Sequence, residues 1–500
     1  MRLPPVHLSI VQPPGYVHAL GLLDPARYLR HQLRRFGAQV TLGKNRLRAD
    51  AVNLVLGAHL GFDPTLLRRF ACLIVNLEQL GEDGATLPAA YLQLLQRAAV
   101  VDYDAANVAS YATDPGDVPL LRFLHAPYLA AAEALPLSER PIDLLFIGSM
   151  NDRRRAFIER VEHCGIAVTV FDKPVYGPER DQFVRQAKAV LNCHYYESSR
   201  FEQVRAFQCL SLGTPLISER RRQTRAPAAF ESSVHWLHED EIEDFFTHRF
   251  ATPSWYEEAQ AKLDAFAGTD PVEDYADLLA FAAGFHQAWG RTRDNEVWRP
   301  RRINLGSGKD YKPGWLNIDV VERSEPDWLH DLSRPTDWPV QARTRFGEEF
   351  LLEAGSVEQV YANNVLEHVP DLPALMGQVL TLLQTGGRFD IEVPYEAAPT
   401  AWQDPTHVRA LNENSWIYYT QWFWYLGWFE HRFELEAFSW LDLKLQPCEK
   451  PQAAFMRVQL RKVETTVHER MVARTMRPDF GGLDDDSAEA AAVPADEVTA

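Results

Sequence analysis

The sequence predicts a multi-domain α/β protein built on parallel sheets. The chain has 500 residues, and a single hydrophobic core stops growing at about 250–300 residues. Short apolar runs alternate with helical patterns, and this alternation is typical of parallel sheets covered by helices. Glycines follow several of the apolar runs, where a strand turns sharply into the next element.

The first block, residues 1–140, is predicted to form one α/β lobe. Its helix, Arg27–Phe36, is closed by Gly37, as glycine often closes a helix. Its strands are the apolar runs Val6–Val11, Val52–Leu56 and Cys72–Asn76.

The second block, residues 141–250, repeats the same alternation. A helix over Asp152–His163 follows the glycine turn Gly148-Ser149. Its predicted strands are Ile142–Ile147, Ala167–Phe171, Ala189–Asn192 and Pro215–Ile217. Residues 251–299 are apolar at helical intervals without strand signals, so we predict a helical linker or packing arm.

The third block, residues 300–465, is a further α/β domain. A helix spans Leu372–Leu383, and Thr385-Gly386-Gly387 is predicted to turn it into the last of the strands. The predicted strands are Ile303–Leu305, Trp315–Ile318, Val357–Ala362 and Arg388–Val393. Residues 480–500 contain too few large apolar groups to offset ordering entropy, so we predict a disordered tail.

Composition excludes several classes of function. A formal net charge of −18 opposes binding to a nucleic-acid backbone, which needs clustered Lys and Arg. No apolar run reaches the roughly 18–20 residues of a membrane span, and the start lacks the layout of a signal peptide. The five cysteines show no CxxC pairing, so we expect neither a disulfide framework nor a metal site in a cytoplasmic protein.

Four motifs follow one another in the third block. They are NLGSG with GWLNID (304–319), VLEHV (365–369), LLQTGGRFDIEVP (382–394) and DPTHVR (404–409). In this order they resemble a branch of the class I S-adenosylmethionine-dependent methyltransferase family. The resemblance implies S-adenosylmethionine as cofactor, with Gly306 and Gly308 at its methionine end, Asp319 on the ribose, Asp331 beside the adenine, and Asn364 in the same site.

The spacing departs from that family in one place. Few residues separate Gly308 from the second strand, fewer than the dozen or so that a parallel crossover needs. We therefore expect a loop in place of the first crossover helix, and a more exposed carboxylate end of the cofactor.

His407 is the best candidate for a catalytic base, because an imidazole titrates near neutrality and Asp404 stands three residues earlier to orient it. His368 is the second candidate. The alternatives are that Asp404 and His407 cap a loop, and that His368 closes the start of a helix. Residues 416–433 are very rich in aromatic side chains. They fit a packed lid or dimer face, a platform for sugar rings, or a contact with a membrane interface.

Two segments of the second block resemble the nucleotide-binding half of a GT-B glycosyltransferase of the group 1 and spore-coat type. They are DLLFIGS with its following arginines (143–155) and RAFQCLSLGTP (205–215). The resemblance implies two Rossmann-like lobes and a nucleotide-sugar site at Gly148, Arg153, Glu202, Arg205 and Gln208. Those relatives have Glu where this chain has Gln208, so donor binding is weaker unless Glu202 replaces it. The arginines also fit a solvated helix face.

These observations predict a bifunctional glycan-modifying enzyme. A glycosyltransferase-like half, with a nucleotide sugar as co-substrate, is joined to an O-methyltransferase that acts on a sugar hydroxyl of a surface polysaccharide or glycoprotein. One alternative makes the first half a carbohydrate-binding module without activity. Another makes the acceptor a protein or a small molecule. The sequence leaves self-association open.

Overall fold

The computed structural model describes residues 3–81, 85–130, 135–171, 173–195, 201–221, 224–292 and 297–478. The chain forms two compact units, Met1–Asp294 (unit 1) and Asn295–Ala500 (unit 2). The tail predicted over 480–500 lies outside the described residues. Among the described helices, none is long and apolar enough to cross a bilayer.

Unit 1 contains two five-stranded parallel sheets. The first consists of β1 (Val6–Ile10), β2 (Val40–Lys44), β3 (Val52–Leu56), β4 (Cys72–Asn76) and β5 (Ala99–Asp102), in the order β2-β1-β3-β4-β5. The second consists of β6 (Ile142–Ile147), β7 (Val168–Phe171), β8 (Ala187–Asn192), β9 (Leu216–Glu219) and β10 (His235–Leu237), in the order β10-β9-β8-β6-β7. Counted along the chain, both sheets have the strand order 2-1-3-4-5, which confirms the two Rossmann-like lobes.

The helices of unit 1 are α1 (Leu23–Arg35), α2 (Ala89–Arg97), α3 (Ala105–Val108), α4 (Asp152–His163), α5 (Gly177–Gln186), α6 (Gln203–Ser211), α7 (Ala228–Ser233), α8 (Ile242–Asp244), α9 (Pro253–Ala267) and α10 (Val272–Thr292). The buried Tyr28 of α1 contacts Phe207 of α6 and Tyr275 of α10, with ring centroids 4.8 and 5.9 Å away. Rings from three helices therefore share one core. The segment predicted as a linker forms α9 and α10, which bury Trp255, Phe266 and Tyr275 in that core, as a packing arm does.

Over residues 297–478, unit 2 consists of a seven-stranded sheet, one hairpin and three α-helices. Its elements are β11 (Arg302–Leu305), β12 (Leu316–Asp319), β13 (Trp328–Leu329), β14 (Val340–Arg343), β15 (Glu349–Leu352), β16 (Val357–Asn363), α11 (Leu372–Leu382), β17 (Leu383–Pro394), α12 (Ile417–Thr420), β18 (His431–Leu441), β19 (Phe455–Glu464) and α13 (Val467–Thr475). The sheet order is β13-β12-β11-β16-β17-β19-β18, with β19 antiparallel to both neighbours and the other pairs parallel. β14 and β15 form the hairpin.

Two local expectations have different outcomes. Residues 306–315, between β11 and β12, contain no helix, so the prediction of a loop crossover is confirmed. The turn predicted at 385–387 is instead an irregularity inside β17, where the pairing jumps from Val357 opposite Leu383 to Gln359 opposite Arg388. A Cβ at Gly387 would lie 2.9 and 3.0 Å from two backbone oxygens, so the strand passes there only without a side chain.

Candidate functional site

The carboxyl ends of β11, β12 and β16 form one edge of the sheet in unit 2, because the three strands are parallel neighbours. Gly306 follows β11, Asp319 ends β12, and Asn364 follows β16. Ligands of open α/β sheets bind outside this edge. The topology thus brings together three of the residues that the resemblance assigned to the cofactor.

The Gly306-Ser307-Gly308 turn has a backbone that only glycines adopt easily. Gly306 has φ +61° and a Cβ there would lie 2.4 Å from a methyl carbon of Val365, while Gly308 has φ +45°. The buried hydroxyl of Ser307 has no hydrogen-bond partner among the described residues. A buried polar atom without a partner at this turn fits a ligand group placed beside it.

Asp319 is buried, and each of its carboxylate oxygens accepts one backbone N–H. The donors are Gly308 at 2.7 Å and Val321 at 2.8 Å. A carboxylate accepts about four hydrogen bonds, so acceptor sites remain for hydroxyl groups of a ligand. The same bonds hold the glycine turn against the end of β12.

A buried amide network, which the sequence analysis missed, supports the loop that replaces the crossover helix. Asn304 of β11 donates to the carbonyl of Asp310 at 2.7 Å and to the side chain of Asn317 at 2.9 Å. Asn317 in turn bonds Asp327 at 2.8 Å. Burial raises the pKa of Asp327 to about 6. Two asparagines in adjacent apolar strands were the available signal, because buried amides need partners.

Asp331 and Asn364 occupy defined local structures. Asp331 is half-buried and accepts from the backbone N–H and the hydroxyl of Ser333, at 3.0 and 2.6 Å. Asn364 has φ +52°, which asparagine tolerates better than most residues. Its backbone N–H donates to the carbonyl of Glu392 at 2.8 Å, so its position is fixed while its side chain stays exposed.

The two candidate histidines lie against each other beside Glu367. The rings of His368 and His407 are 4.7 Å apart, and Nε2 of His407 is 3.9 Å from Oε1 of Glu367. Nδ1 of His407 donates to the carbonyl of Ala401 at 2.6 Å, so its lone pair is at Nε2 when the ring is neutral. Burial raises the pKa of Glu367 to about 7.

The predicted orienting role of Asp404 differs from the observed contacts. Asp404 is exposed, and one oxygen accepts from the backbone N–H and hydroxyl of Thr406, at 2.9 and 2.6 Å. These bonds lower the pKa of Asp404. Asp404 therefore caps its own loop, as the alternative proposed, and the carbonyl of Ala401 orients His407 instead.

The aromatic segment 416–433 divides into buried and exposed residues. Trp416, Tyr419, Phe423 and Phe433 are buried in the core of unit 2. Tyr418, Trp422 and Tyr425 are exposed, and the ring of Tyr418 contacts those of Trp422 and Tyr425, with centroids 5.2 and 5.8 Å away. We call these three rings the aromatic cluster. Burial explains four of the ten aromatic residues of the segment, and the cluster remains for an interaction.

Unit 1 contains a cavity of about 610 Å³ lined by both of its lobes. It lies at the ends of β6 and β8, where the strand order of the second sheet reverses, which is the usual ligand position in such sheets. Gly148, Glu202, Arg205 and Gln208 line it, as predicted for the nucleotide-sugar site. Its charged lining is Arg154, Lys173, Arg180, Arg205, Glu78 and Glu202. The excess of basic groups suits an anionic ligand.

Arg154 lines the cavity, whereas Arg153, the arginine predicted for the nucleotide-sugar site, does not. Arg153 pairs with Glu219 and donates to the carbonyl of His194 at 2.6 Å, away from the cavity lining. Arg154 is buried in the lining, where it donates to the carbonyl of Ser149 at 2.9 Å and to Glu202 at 3.2 Å. Three consecutive arginines point in different directions from a helix, and the sequence alone did not show which one faces the ligand.

Gln208 is buried beside Arg180, which the sequence analysis did not single out. Its Oε1 accepts from Arg180 at 2.8 Å. Arg180 also pairs with Asp24 at 2.7 Å and with Asp181 at 2.5 Å. Burial alone would lower the pKa of Arg180, but these two carboxylates raise it.

No family model matches the chain. An uncharacterised protein of Acanthamoeba polyphaga mimivirus is 23 % identical over 180 residues, which are 34 % of this chain and 52 % of that protein. The chain therefore spans about half the length of this curated relative.

Solved structures of two kinds are similar to the chain at low identity. An S-adenosylmethionine-dependent methyltransferase from Mesorhizobium loti is 16 % identical and covers 35 % of this chain and 96 % of its own, with a TM-score of 0.22. A methyltransferase from Archaeoglobus fulgidus is 11 % identical and covers 35 % of this chain and 91 % of its own, with a TM-score of 0.21. The glycosyltransferase AviGT4, involved in avilamycin A biosynthesis, is 15 % identical and covers 58 % of this chain and 98 % of its own, with a TM-score of 0.37.

Proposed function

We propose that unit 2 is an S-adenosylmethionine-dependent methyltransferase and that the protein modifies glycans. The observation that carries this proposal is the sheet edge where the Gly306–Gly308 turn donates to Asp319. A positive-φ glycine turn after one strand and an acid at the end of the next strand form a binding site for an adenosine-containing ligand.

The residues present fit the cofactor. Asp319 keeps free acceptor positions for ribose hydroxyls, and the unpartnered hydroxyl of Ser307 lies in the turn that would face the methionine end. When bound, S-adenosylmethionine supplies a methyl group on a sulfonium, ready for displacement. The protein then has to hold the acceptor in line, exclude water and remove a proton.

We further propose that the acceptor is a sugar hydroxyl. The aromatic cluster offers exposed ring faces on which the C–H faces of a sugar can lie. His407 donates from Nδ1 to the carbonyl of Ala401, so its neutral ring has the lone pair at Nε2, where it would accept the proton of the hydroxyl. His368 lies beside it. The bound cofactor would supply the methyl group to the acceptor oxygen, and its sulfur would leave with the electron pair of the carbon–sulfur bond.

For unit 1 we propose binding of a nucleotide sugar in its cavity. Arg205 lies in the lining, paired with Glu202 at 2.8 Å, and a diphosphate would compete for it. The contact of Gln208 with Arg180 favours a second candidate function, a carbohydrate-binding module without transfer activity, because this glutamine is already engaged inside the protein. Turnover of a sugar nucleotide distinguishes the two.

One calorimetric experiment tests both units in the full chain. S-adenosylmethionine, UDP-glucose and GDP-mannose are titrated into the wild type, Asp319→Ala and Arg205→Ala. Loss of the charge-assisted contact at Asp319 is worth about 1.5–3 kcal/mol, so affinity for S-adenosylmethionine should fall about 10- to 150-fold while nucleotide-sugar binding is kept. Arg205→Ala should show the reverse pattern, so each variant is the control for the other.

Labelled methyl transfer to candidate glycans completes this test. Unchanged affinity of Asp319→Ala for S-adenosylmethionine would contradict the proposed contact of Asp319 with the ribose. Labelling of only protein side chains or small amines would contradict the sugar acceptor.

A further inference from the structure

Three potential metal ligands meet in unit 2, two of them adjacent in the sequence and the third from a later loop. Glu367, His368 and His407 each offer one ligand atom, and these atoms lie within 4.8 Å of one another. Glu367 and His368 belong to the short turn after β16, and His407 belongs to the loop after β17. A backbone bond from Val408 to the carbonyl of Glu367, 2.9 Å long, joins the two segments.

The imidazoles are oriented in the way that metal-binding imidazoles usually are. Nδ1 of His407 is bound by the carbonyl of Ala401 at 2.6 Å, and Nδ1 of His368 lies 3.0 Å from the hydroxyl and 3.3 Å from the carbonyl of Thr406. Such contacts fix the tautomer and leave Nε2 as the ligand atom. Both rings are therefore set before any ion arrives.

The carboxylate of Glu367 is the group that lacks a partner. Its side chain is 2 % exposed, and neither oxygen accepts a hydrogen bond from another described residue. It faces Nε2 of His407 at 3.9 Å, so two acceptors oppose each other when the carboxylate is charged and the ring is neutral. A cation between them would satisfy both, because a buried carboxylate is costly without a charged partner.

We propose that Glu367, His368 and His407 bind one divalent transition-metal ion. Two imidazole nitrogens and one carboxylate suit Zn²⁺, Mn²⁺, Fe²⁺ or Co²⁺ better than Mg²⁺ or Ca²⁺, which prefer oxygen ligands. Ligand bonds of about 2.0–2.2 Å require the three atoms to close by roughly 1 Å. Three protein ligands also leave at least one position open, as in catalytic rather than structural sites.

The role of this ion rests on the proposed function. An ion at an open site lowers the pKa of a bound oxygen ligand. A sugar hydroxyl bound there would lose its proton more easily, and its oxygen would stay oriented for attack on the methyl carbon. In that case Nε2 of His407 would be a ligand of the ion instead of the base proposed above, and the proton would pass to water.

The test uses the full chain, stripped with a chelator and dialysed. Zn²⁺ is titrated by calorimetry, Co²⁺ by its visible absorption, and Mg²⁺ serves as the oxygen-seeking control ion. The variants are Glu367→Gln, which keeps the shape and removes the charge, and His368→Gln. The matched control is His468→Gln, an exposed histidine of α13. Unfolding midpoints identify any variant that does not fold, and the other variant then carries the test.

We expect one Zn²⁺ per chain in the wild type and in His468→Gln, and no saturable Mg²⁺ binding. Both ligand variants should lose more affinity than the roughly 10- to 100-fold typical of an outer-shell partner. Equal Zn²⁺ affinity in all four proteins, or less than one site per chain in the wild type, would overturn the metal site. S-adenosylmethionine is titrated into the same samples to separate the two proposals. If the protein binds this cofactor but no metal ion, the metal site is overturned and the methyltransferase proposal stands.

Discussion

Among single residues, Gln208 shows how a buried charge balance constrains a binding position. The resemblance to glycosyltransferases leads one to expect Glu there. In this chain Arg180 already pairs with Asp24 and Asp181, and all of these side chains are buried. These two carboxylates already exceed the single positive charge of the guanidinium, and a third would increase the excess, whereas the neutral amide of Gln208 accepts one of its N–H groups without adding charge.

We predict that Gln208→Glu lowers the free energy of unfolding of unit 1 by about 2 kcal/mol, because it adds a second uncompensated negative charge to this buried group of side chains. Asp24→Asn in the same chain should recover most of this loss. Urea denaturation of the two single variants and the double variant gives the coupling energy directly. A Gln208→Glu protein at least as stable as the wild type would show that Arg180 does not limit the charge at this position.

At the scale of an element, the turn between β11 and β12 depends on two separate properties of Gly306. Its backbone is left-handed, and a Cβ would overlap Val365 at 2.4 Å. Gly355, before β16, has a similar φ of +70°, but a Cβ at that position would have no neighbouring atom within 4 Å. The pair therefore separates backbone strain from steric overlap.

We predict that Gly306→Ala destabilises unit 2 more than Gly355→Ala. Left-handed strain costs about 1–2 kcal/mol in both, and overpacking against Val365 adds about 1–3 kcal/mol at Gly306 alone. Adding Val365→Ala to Gly306→Ala should remove the overpacking contribution and leave the left-handed strain. Thermal unfolding of the four proteins measures this, and equal losses for the two glycine variants would contradict the overlap.

At the scale of the whole molecule, unit 1 contains histidines that burial keeps neutral by lowering their pKa. Burial lowers the pKa of His7, in β1, to about 4 and that of His235, in β10, to about 3. His7 bonds the hydroxyl of Thr41 at 2.7 Å and the carbonyl of Arg46 at 3.2 Å, so it joins β1 to β2 and the loop after it. The first lobe thus buries His7, and the second buries both His194 and His235.

We predict that unit 1 loses stability as the pH falls from about 6.5 to 4. In this window the histidines are protonated in the unfolded chain and remain neutral in the folded one. Their contribution to stability is therefore fully present above pH 6.5 and is lost progressively below it. The contribution of His7 at pH 4 is about 3 kcal/mol. Urea midpoints of the full chain between pH 7.5 and 4.5 provide the measurement. His7→Gln should have a flatter profile, and an unchanged profile would show that His7 is not the group responsible.

Much of the fold was predictable because buried parallel strands are short apolar runs that end at turn residues. The bounds predicted for β3, β4, β6 and α4 agree with the structure. β2, β5 and β10 were missed, and so were the long strands β18 and β19. Most of these are edge strands or lie next to an edge, where one side is partly exposed and the apolar run is broken by polar residues.

The sequence by itself determined the fold class and the sheet edge of unit 2, because Gly306, Gly308 and Asp319 act through the ends of two successive strands. Only the tertiary structure decided the partners of residues far apart in the chain. Arg180 bonds Gln208, which is 28 residues away in the sequence. Thr406, next to His407, bonds His368, which is 38 residues away. Charge balance and metal affinity depend on distances in space, and no local pattern encodes those distances before the chain has folded.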